Sequence, residues 1–315
     1  MNRKDTMALL VLSAIWGSSY LFIAIGTEAL PPLTLVTIRL LIGAAALHTV
    51  LLARRRPLPR SRKTLAALAF MGLSNNIIPF ALIAWSEAPG LHQVNSGLAA
   101  VLVAAVPIFT VILAHFALHD ERFTALKVSG VLIGFVGVAV LMSPRFNSVA
   151  GKQAILGALA VIAASIAYAI AAIFSRRMLG GVQPILIGAI QMTWSVVLLL
   201  PVALLVERPS LANVPLRAWF AVGWLGLLGS GIAYILYFGL IQRIGATQTT
   251  MVAYISPIVA VILGAVFNEE QIEWALLAGM VLIIGGAVLV NRRPQPRPAP
   301  DERVAAPVPD ALEAE

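Results

Sequence analysis

Ten apolar runs, each close to the length of a membrane crossing, follow one another along the 315-residue chain at 7–25, 33–53, 65–85, 94–115, 125–142, 153–174, 184–206, 217–239, 247–267 and 273–290. A helix needs about 20 such residues to cross the hydrocarbon of a bilayer. Charge, proline or glycine bounds every run, and the connections are too short to hold a soluble domain. Composition agrees: 60% of residues are hydrophobic and 11% are charged, against about 25% charged in soluble domains. A water-soluble shell must be largely polar, so no soluble core could hide this much apolar surface. Strands of an outer-membrane barrel alternate apolar and polar residues, and these runs do not. The expectation is an all-α integral membrane protein with ten transmembrane helices. A soluble enzyme, a nucleic-acid-binding domain and a disordered chain are excluded. The chain has no cysteine, so disulfides, thiolate metal sites and iron–sulfur clusters are excluded too. The opening MNRKDT and the run after it resemble a secretory signal, but 7–25 is longer than a signal core and no A-x-A site follows. It reads as the first membrane helix.

An even number of crossings puts both termini on one side, and positive charge chooses the side. With the termini inside, 17 of the 22 Lys and Arg residues fall in cytoplasmic segments, including Arg54, Arg55, Arg56, Arg60, Arg62 and Lys63. Only Arg145, Lys152, Arg208 and Arg217 fall outside, and Arg39 lies within a span. Both termini are expected in the cytoplasm, and the net charge of +8 is explained by orientation rather than by nucleic acid. The 54–63 run is a topology signal or a patch for anionic lipid. Residues 291–315 hold six prolines among charges and are expected to form a disordered cytoplasmic tail.

Two stretches look alike: PIFTVILAHFALHDERFTALKVSGVLIGFVGVAVLM from Pro107 and PIVAVILGAVFNEEQIEWALLAGMVLIIGGAVLV from Pro257. Pro107 matches Pro257 at an offset of 150, and Glu121, Gly130 and Gly137 match Glu270, Gly279 and Gly286 at 149. Each unit then holds five helices, an odd number, so the second copy must run through the membrane in the opposite sense. Inverted repeats are the sequence sign of alternating-access carriers, with cargo held near the midplane between the halves.

The stretches IWGSSYLFI, LPPLTLVTIRLLIGA, IIPFALIAW and SGLAAVLVAAVPIFTVILAHFALHDERFTALKVSGVLIGFVGVAVL resemble the EamA family of the drug/metabolite transporter superfamily. The likeness runs from about residue 8 to 290 and is strongest in the first half. It implies two five-helix repeats, 1–146 and an inverted 147–290, around a central cavity. It also implies export of amino acids, related metabolites or drugs across a prokaryotic plasma membrane. Where the first half has Arg39, the matching region of the second carries Gln191.

Broken helices at matching places in the two halves are the sequence pointer to a carrier's site. Pro107 and Pro257 fit that description, near the middle of spans four and nine; Pro79 in span three stands against Gly229-Ser230-Gly231 in span eight. Proline frees backbone carbonyls that can meet a ligand or water. Pro79, Pro107, Gly229, Gly231 and Pro257 are therefore hinge candidates, although each also fits simple kinking or packing. Asn75 and Asn76 lie mid-span and should point inward, because amides cannot face lipid cheaply. Asn76 serves equally well as an interhelical hydrogen bond. Trp16, Tyr20, Tyr168, Gln191, Trp194, Tyr234, Tyr237 and Tyr254 complete the substrate-binding candidates. Their aromatic rings give an apolar wall with hydrogen-bonding tips, and ordinary helix packing is the alternative for each.

Arg39 is the one charge deep in a span. A buried guanidinium needs a partner: a substrate carboxylate, gripped by two nitrogens at once, or Glu28 or Glu87 near the outer face, or carbonyls at a helix end. No span carries a central carboxylate, and His48, His92 and His115 lie towards span ends or in a loop, so no proton relay is visible. His115 and His119, with Asp120 and Glu121, have metal-ligand spacing but lack a third ligand. No cofactor or resident metal is expected, no motif of an intramembrane enzyme is present, and a receptor would not need the repeat. Partners are a small-molecule substrate and the bilayer. Gly130 and Gly134 form a G-x-x-x-G that could pack a second protomer into a homodimer or a neighbouring helix.

Overall fold

A computed structural model describes residues 2–55, 57–90, 94–118, 123–145 and 149–291. The tail 292–315, His92, and the His119–Asp120–Glu121 portion of the metal-spacing candidate lie outside the described residues. Among the described residues there is no strand. The membrane helices are α1 (Arg3–Thr27), α2 (Pro32–Ala53), α3 (Arg62–Glu87), α4 (Ser96–Ala117), α5 (Ala125–Met142), α6 (Val149–Met178), α7 (Pro184–Val206), α8 (Leu216–Ile244), α9 (Val252–Phe267) and α10 (Trp274–Asn291). All except α9 are long and apolar enough to cross a bilayer. Polar residues mark the starts: Asn2, Ser61, Asn95 and Thr124 each accept a hydrogen bond from a backbone N–H three residues on. Pro32 and Pro184 open α2 and α7, where a missing N–H does no harm.

The interiors of four helices are less regular than the runs alone predict. Residues Gly72–Ile77 of α3 and Leu225–Ile232 of α8 wind as π-helix. In α3 the reason is Pro79, whose ring crowds the carbonyl of Asn75 and offers it no N–H, so the ladder widens just before it. In α8 the run GLLGSG supplies three weak helix formers within the widened stretch. α4 breaks at Ala104–Ala105, between segments Ser96–Val103 and Val106–Ala117, because Pro107 cannot continue the ladder back to Val103. The ninth run, expected to be unbroken over 247–267, is a single turn Ala246–Thr249 followed by α9. Three threonines stand in its first turn, and the Thr249 hydroxyl donates to the Gly245 carbonyl at 2.8 Å, competing with the backbone pattern.

Packing exchanges the two halves. α1 packs on α8 and α9, and α6 on α3 and α4; α2 packs on α8, and α7 on α3. The two remaining pairs, α2 with α7 and α5 with α10, each join a helix to the one five places later. Both pairs cross antiparallel. Thr34 at the start of α2 meets Glu207 at the end of α7, and further along His48 Nε2 lies 2.8 Å from Thr193 Oγ1. In the other pair Gly130 lies against Gly286 and Gly137 against Gly279, at separations that exclude side chains: a Cβ on Gly286 would sit 2.5 Å from the Gly130 carbonyl oxygen. A Cβ on Gly134 would collide with Ile108. The glycine stripe of α5 is thus taken up by α10 and α4 within the chain. Leu132, Phe135 and Val136 of α5, and Leu204 to Val206 of α7, are exposed, as side chains facing lipid should be.

One end of the bundle gathers the start of α1 and the ends of α8 and α10. Arg243 Nε donates to Asp5 Oδ1 at 2.7 Å, and Asn291 Nδ2 donates to the Tyr254 hydroxyl at 2.5 Å. The opposite end is tied by carboxylates at helix N-termini. Glu207 accepts from the backbone N–H groups of Leu33 and Thr34 at 2.8 and 2.7 Å. Glu270 accepts from those of Ser96 and Gly97 at 3.0 and 3.1 Å, and from Ser96 Oγ at 2.6 Å. These are the positions where a helix presents free donors and the positive end of its dipole.

Candidate functional site

A cavity of about 580 Å³ lies between the two halves, within the size range of small-molecule sites. Its wall is aromatic, built from Trp16, Tyr20, Phe80, Tyr168, Tyr234, Tyr237 and Phe238, with Arg39, Asn75, Gln191 and Ser256 among the polar groups. It extends from mid-depth to Ser175, Pro184 and Ile241, towards the end that holds Asp5 and Arg243. Glu207, Glu270 and the helix starts they hold do not line it.

The irregular backbone borders this space. Trp16 Nε1 donates to the Gly229 carbonyl, inside the π segment of α8, at 3.1 Å. The same indole packs on Tyr237 at 5.2 Å between ring centroids and on Tyr234, edge to face, at 6.4 Å. The residues flanking the break in α4, Val103, Ala104 and Val106, also line the cavity, as does Pro257 of α9.

Arg39 is 5% exposed. Its Nε donates to Ser230 Oγ at 3.0 Å, and its guanidinium carbon stands 3.9 Å from the centre of the Phe80 ring. Neither carboxylate expected as a partner meets it: Glu28 pairs with Arg217 at 3.4 Å, and Glu87 makes no hydrogen bond among the described residues. The π segment of α8 brings Ser230 to Arg39, and Phe80 lies under it, so the side chain stays at the cavity wall instead of reaching for the membrane surface. Its two terminal nitrogens have no hydrogen-bond partner among the described residues.

Of the other residues singled out in the sequence, Trp16, Tyr20, Asn75, Tyr168, Gln191, Tyr234, Tyr237, Gly229 and Pro257 line the cavity. Asn75 Nδ2 makes only long contacts, 3.4 Å to Gln191 Oε1 and 3.5 Å to both the Tyr234 hydroxyl and Asn76 Oδ1, so it is lightly held, and it lines the cavity. Asn76 does not line it. It is fully buried and donates to Ser195 Oγ at 3.1 Å, across α3 and α7. Trp194 packs against the larger apolar core. Tyr254 turns away, and its hydroxyl donates to the Ala287 carbonyl of α10 at 3.1 Å. Pro79 is buried just past the π segment, Pro107 opens the second half of α4, and a Cβ on Gly231 would press on Ala46 of α2. Ser230 and Phe80, the two groups that hold Arg39, were not singled out. Ser230 had a signal in its place between two glycines opposite a buried arginine; Phe80 had none.

Among the described residues, a bundle of nine long apolar helices and a shorter one encloses an aromatic cavity at broken helices, the arrangement of a membrane carrier. The EamA-like transporter family model matches residues 5–143 and again 155–292, and the chain belongs to that family. It is a transporter, not an enzyme. The chain is 34% identical to the uncharacterized inner membrane transporter YedA of Escherichia coli (strain K12) over 295 residues, which cover 91% of this chain and 92% of the relative. It is 26% identical to the uncharacterized transporter YoaV of Bacillus subtilis (strain 168), over 90% and 95% of the two chains. It is 28% identical to a probable terminal-alkyne amino-acid exporter of Streptantibioticus cattleyicolor, over 92% and 94%. A protein crystal structure superposes with a TM-score of 0.64 at 22% identity, covering 92% of this chain and 98% of the other; this likeness speaks for the fold.

Proposed function

We propose that the chain exports small amphipathic metabolites bearing a carboxylate, amino acids first among them, across the inner membrane by alternating access. The observation that carries this reading is Arg39. A guanidinium removed from water demands an anion or several acceptors. Here it has one hydroxyl and one ring face, with its terminal nitrogens left for a ligand. A carboxylate accepts two parallel N–H donors, and the aromatic wall suits the apolar remainder of such a molecule. The exchange of packing partners between the halves, and the antiparallel crossings of α2 with α7 and α5 with α10, support two inverted five-helix repeats as the moving bodies. The positive charge of the segments at the end that holds Asp5 and Arg243 supports cytoplasmic termini, and the relative named as an amino-acid exporter supports the cargo class. In this orientation the cavity faces the cytoplasm.

The test is counterflow in proteoliposomes with a panel of L-amino acids, each paired with its amide or ester. Saturable exchange of the free acids, with little exchange of the uncharged derivatives, is the expected result. Equal flux of both sets would remove Arg39 as the anion site, and no flux of either from folded protein would remove the cargo class.

A further inference from the structure

Glu87 ends α3 at the end of the bundle tied by Glu207 and Glu270. It is 8% exposed, and neither of its carboxylate oxygens has a hydrogen-bond partner among the described residues. The other carboxylates that tie helices together are engaged: Glu207 at the start of α2, Glu270 at the start of α4, and Asp5 with Arg243. Among the described residues, Glu87 is the buried acid that no hydrogen bond engages. Ile83, one turn earlier on the same face, lines the cavity, so the Glu87 carboxyl stands about 6 Å further along the same side of the helix.

Its surroundings come from every helix packed on this part of α3. α2 contributes Arg39, α1 contributes Tyr20, and Glu270 at the α4 N-terminus faces it as a like charge. α6 contributes Tyr168 on the cavity side. α4 brings no titratable group before His115 at its far end, and Glu28 at the end of α1 is taken by Arg217. Arg39 sits within electrostatic reach of Glu87 but is held by Ser230 and Phe80. Among the described residues an ionised carboxylate there would have no hydrogen-bond donor, and a second carboxylate lies nearby. The neutral acid is far cheaper to bury.

We propose that Glu87 is a proton-binding site of the carrier and that it gives up its proton when the cationic group of a cargo arrives, so that export is exchanged against protons. This rests on the carrier reading of the same cavity. A zwitterion whose carboxylate sits on Arg39 can direct its ammonium towards Ile83 and Glu87. The carboxyl O–H then loses its proton to cavity water, and the carboxylate left behind pairs with the ammonium. When the tied end opens, the cargo leaves and water on that side returns a proton to the carboxylate. The balance is one proton inward for one zwitterion outward.

Two measurements test this on the full chain. In proteoliposomes with an imposed pH difference of one unit, one-for-one exchange sustains about tenfold accumulation of a radiolabelled L-amino acid mixture. Glu87→Gln should abolish the accumulation and weaken counterflow through loss of the ammonium contact, and Glu87→Asp should retain part of both. Accumulation that survives in Glu87→Gln, or that requires sodium instead of a pH difference, would overturn the proposal. The second measurement needs no cargo. Infrared spectra of purified protein at neutral pH should show a protonated-carboxyl carbonyl band that is missing from Glu87→Gln. If wild type and variant have the same band, Glu87 does not hold a proton. If the band is present and no amino acid moves, the cargo assignment fails and the proton site stands.

Discussion

Arg39 and the asparagine pair show how neighbouring polar residues in one membrane core divide their tasks. Hydrogen bonds to a charged group are worth about 1.5–3 kcal/mol, roughly 10–150-fold in affinity. Arg39→Met should therefore weaken binding of carboxylate-bearing cargo by about that factor in competition counterflow, with little change in melting temperature, since an apolar side chain of similar length replaces a buried charge. An equal loss for uncharged analogues would count against the carboxylate contact. Asn75 and Asn76 should behave differently. Asn76 is fully buried and bonded to Ser195, which itself donates to the Gly72 carbonyl at 3.0 Å. Asn76→Ala removes that interhelical bond, while the Ser195 hydroxyl keeps its backbone acceptors, and should lower stability by about 0.5–1.5 kcal/mol. Asn75→Ala should leave the thermal melt in place and shift the cargo profile. The sequence placed both amides at mid-span but could not separate them. Adjacent helical positions point about 100° apart, and which one meets α7 depends on how the π segment turns α3.

At the scale of elements, glycines decide how closely helices approach. Gly285 and Gly286 are neighbours on α10, yet only Gly286 is pressed against α5: a Cβ there would lie 2.5 Å from the Gly130 oxygen and 2.8 Å from the Gly134 nitrogen, whereas at Gly285 it would meet nothing within 4 Å. Gly286→Ala should cost about 1–3 kcal/mol through forced separation, and Gly285→Ala should gain up to about 1 kcal/mol from helix propensity. Thermal unfolding of the two variants in one detergent gives the comparison; similar melting temperatures would mean that the α5–α10 contact does not limit stability. Most helices were legible in the sequence because length and apolarity alone define a crossing. Their interruptions were legible only as weak points. Pro79, Pro107 and the Gly229–Gly231 stretch marked where the ladder would yield. Whether it yields as a π turn, a break or a smooth bend depends on which carbonyl finds another donor. The Gly229 carbonyl finds the Trp16 indole more than 200 residues away in sequence, a contact no local pattern encodes. The start of α9 was misjudged for a related reason, since hydropathy does not register the competition of threonine hydroxyls for the backbone.

For the whole molecule, the decisive property is that the cavity runs towards one end, at Ser175, Pro184 and Ile241, and away from the end where Glu207 and Glu270 tie helices. The ties at that second end are few: Glu207 on α2, Glu270 on α4 and Arg217 with Glu28 each join the second half to the first. A carrier must undo such ties and make others at the opposite end, so their small number is consistent with an equilibrium that cargo can shift. The absence of cysteine from the natural chain allows single reporters to be placed without first removing others. Ser175 lines the cavity towards the first end, and Ser86 is fully buried at the tied end. Serine to cysteine is a small change at either place. Ser175→Cys should react with a membrane-impermeant maleimide from the side of the N-terminus in the resting protein, and cargo should slow the reaction. Ser86→Cys should stay unreactive at rest and become reactive from the opposite side during counterflow. Slowing at one position and exposure at the other should show the same cargo dependence, because both read a single equilibrium between two arrangements. If Ser86→Cys remains closed while counterflow proceeds, cargo crosses without opening this end, and two rocking halves are the wrong description of how the protein works.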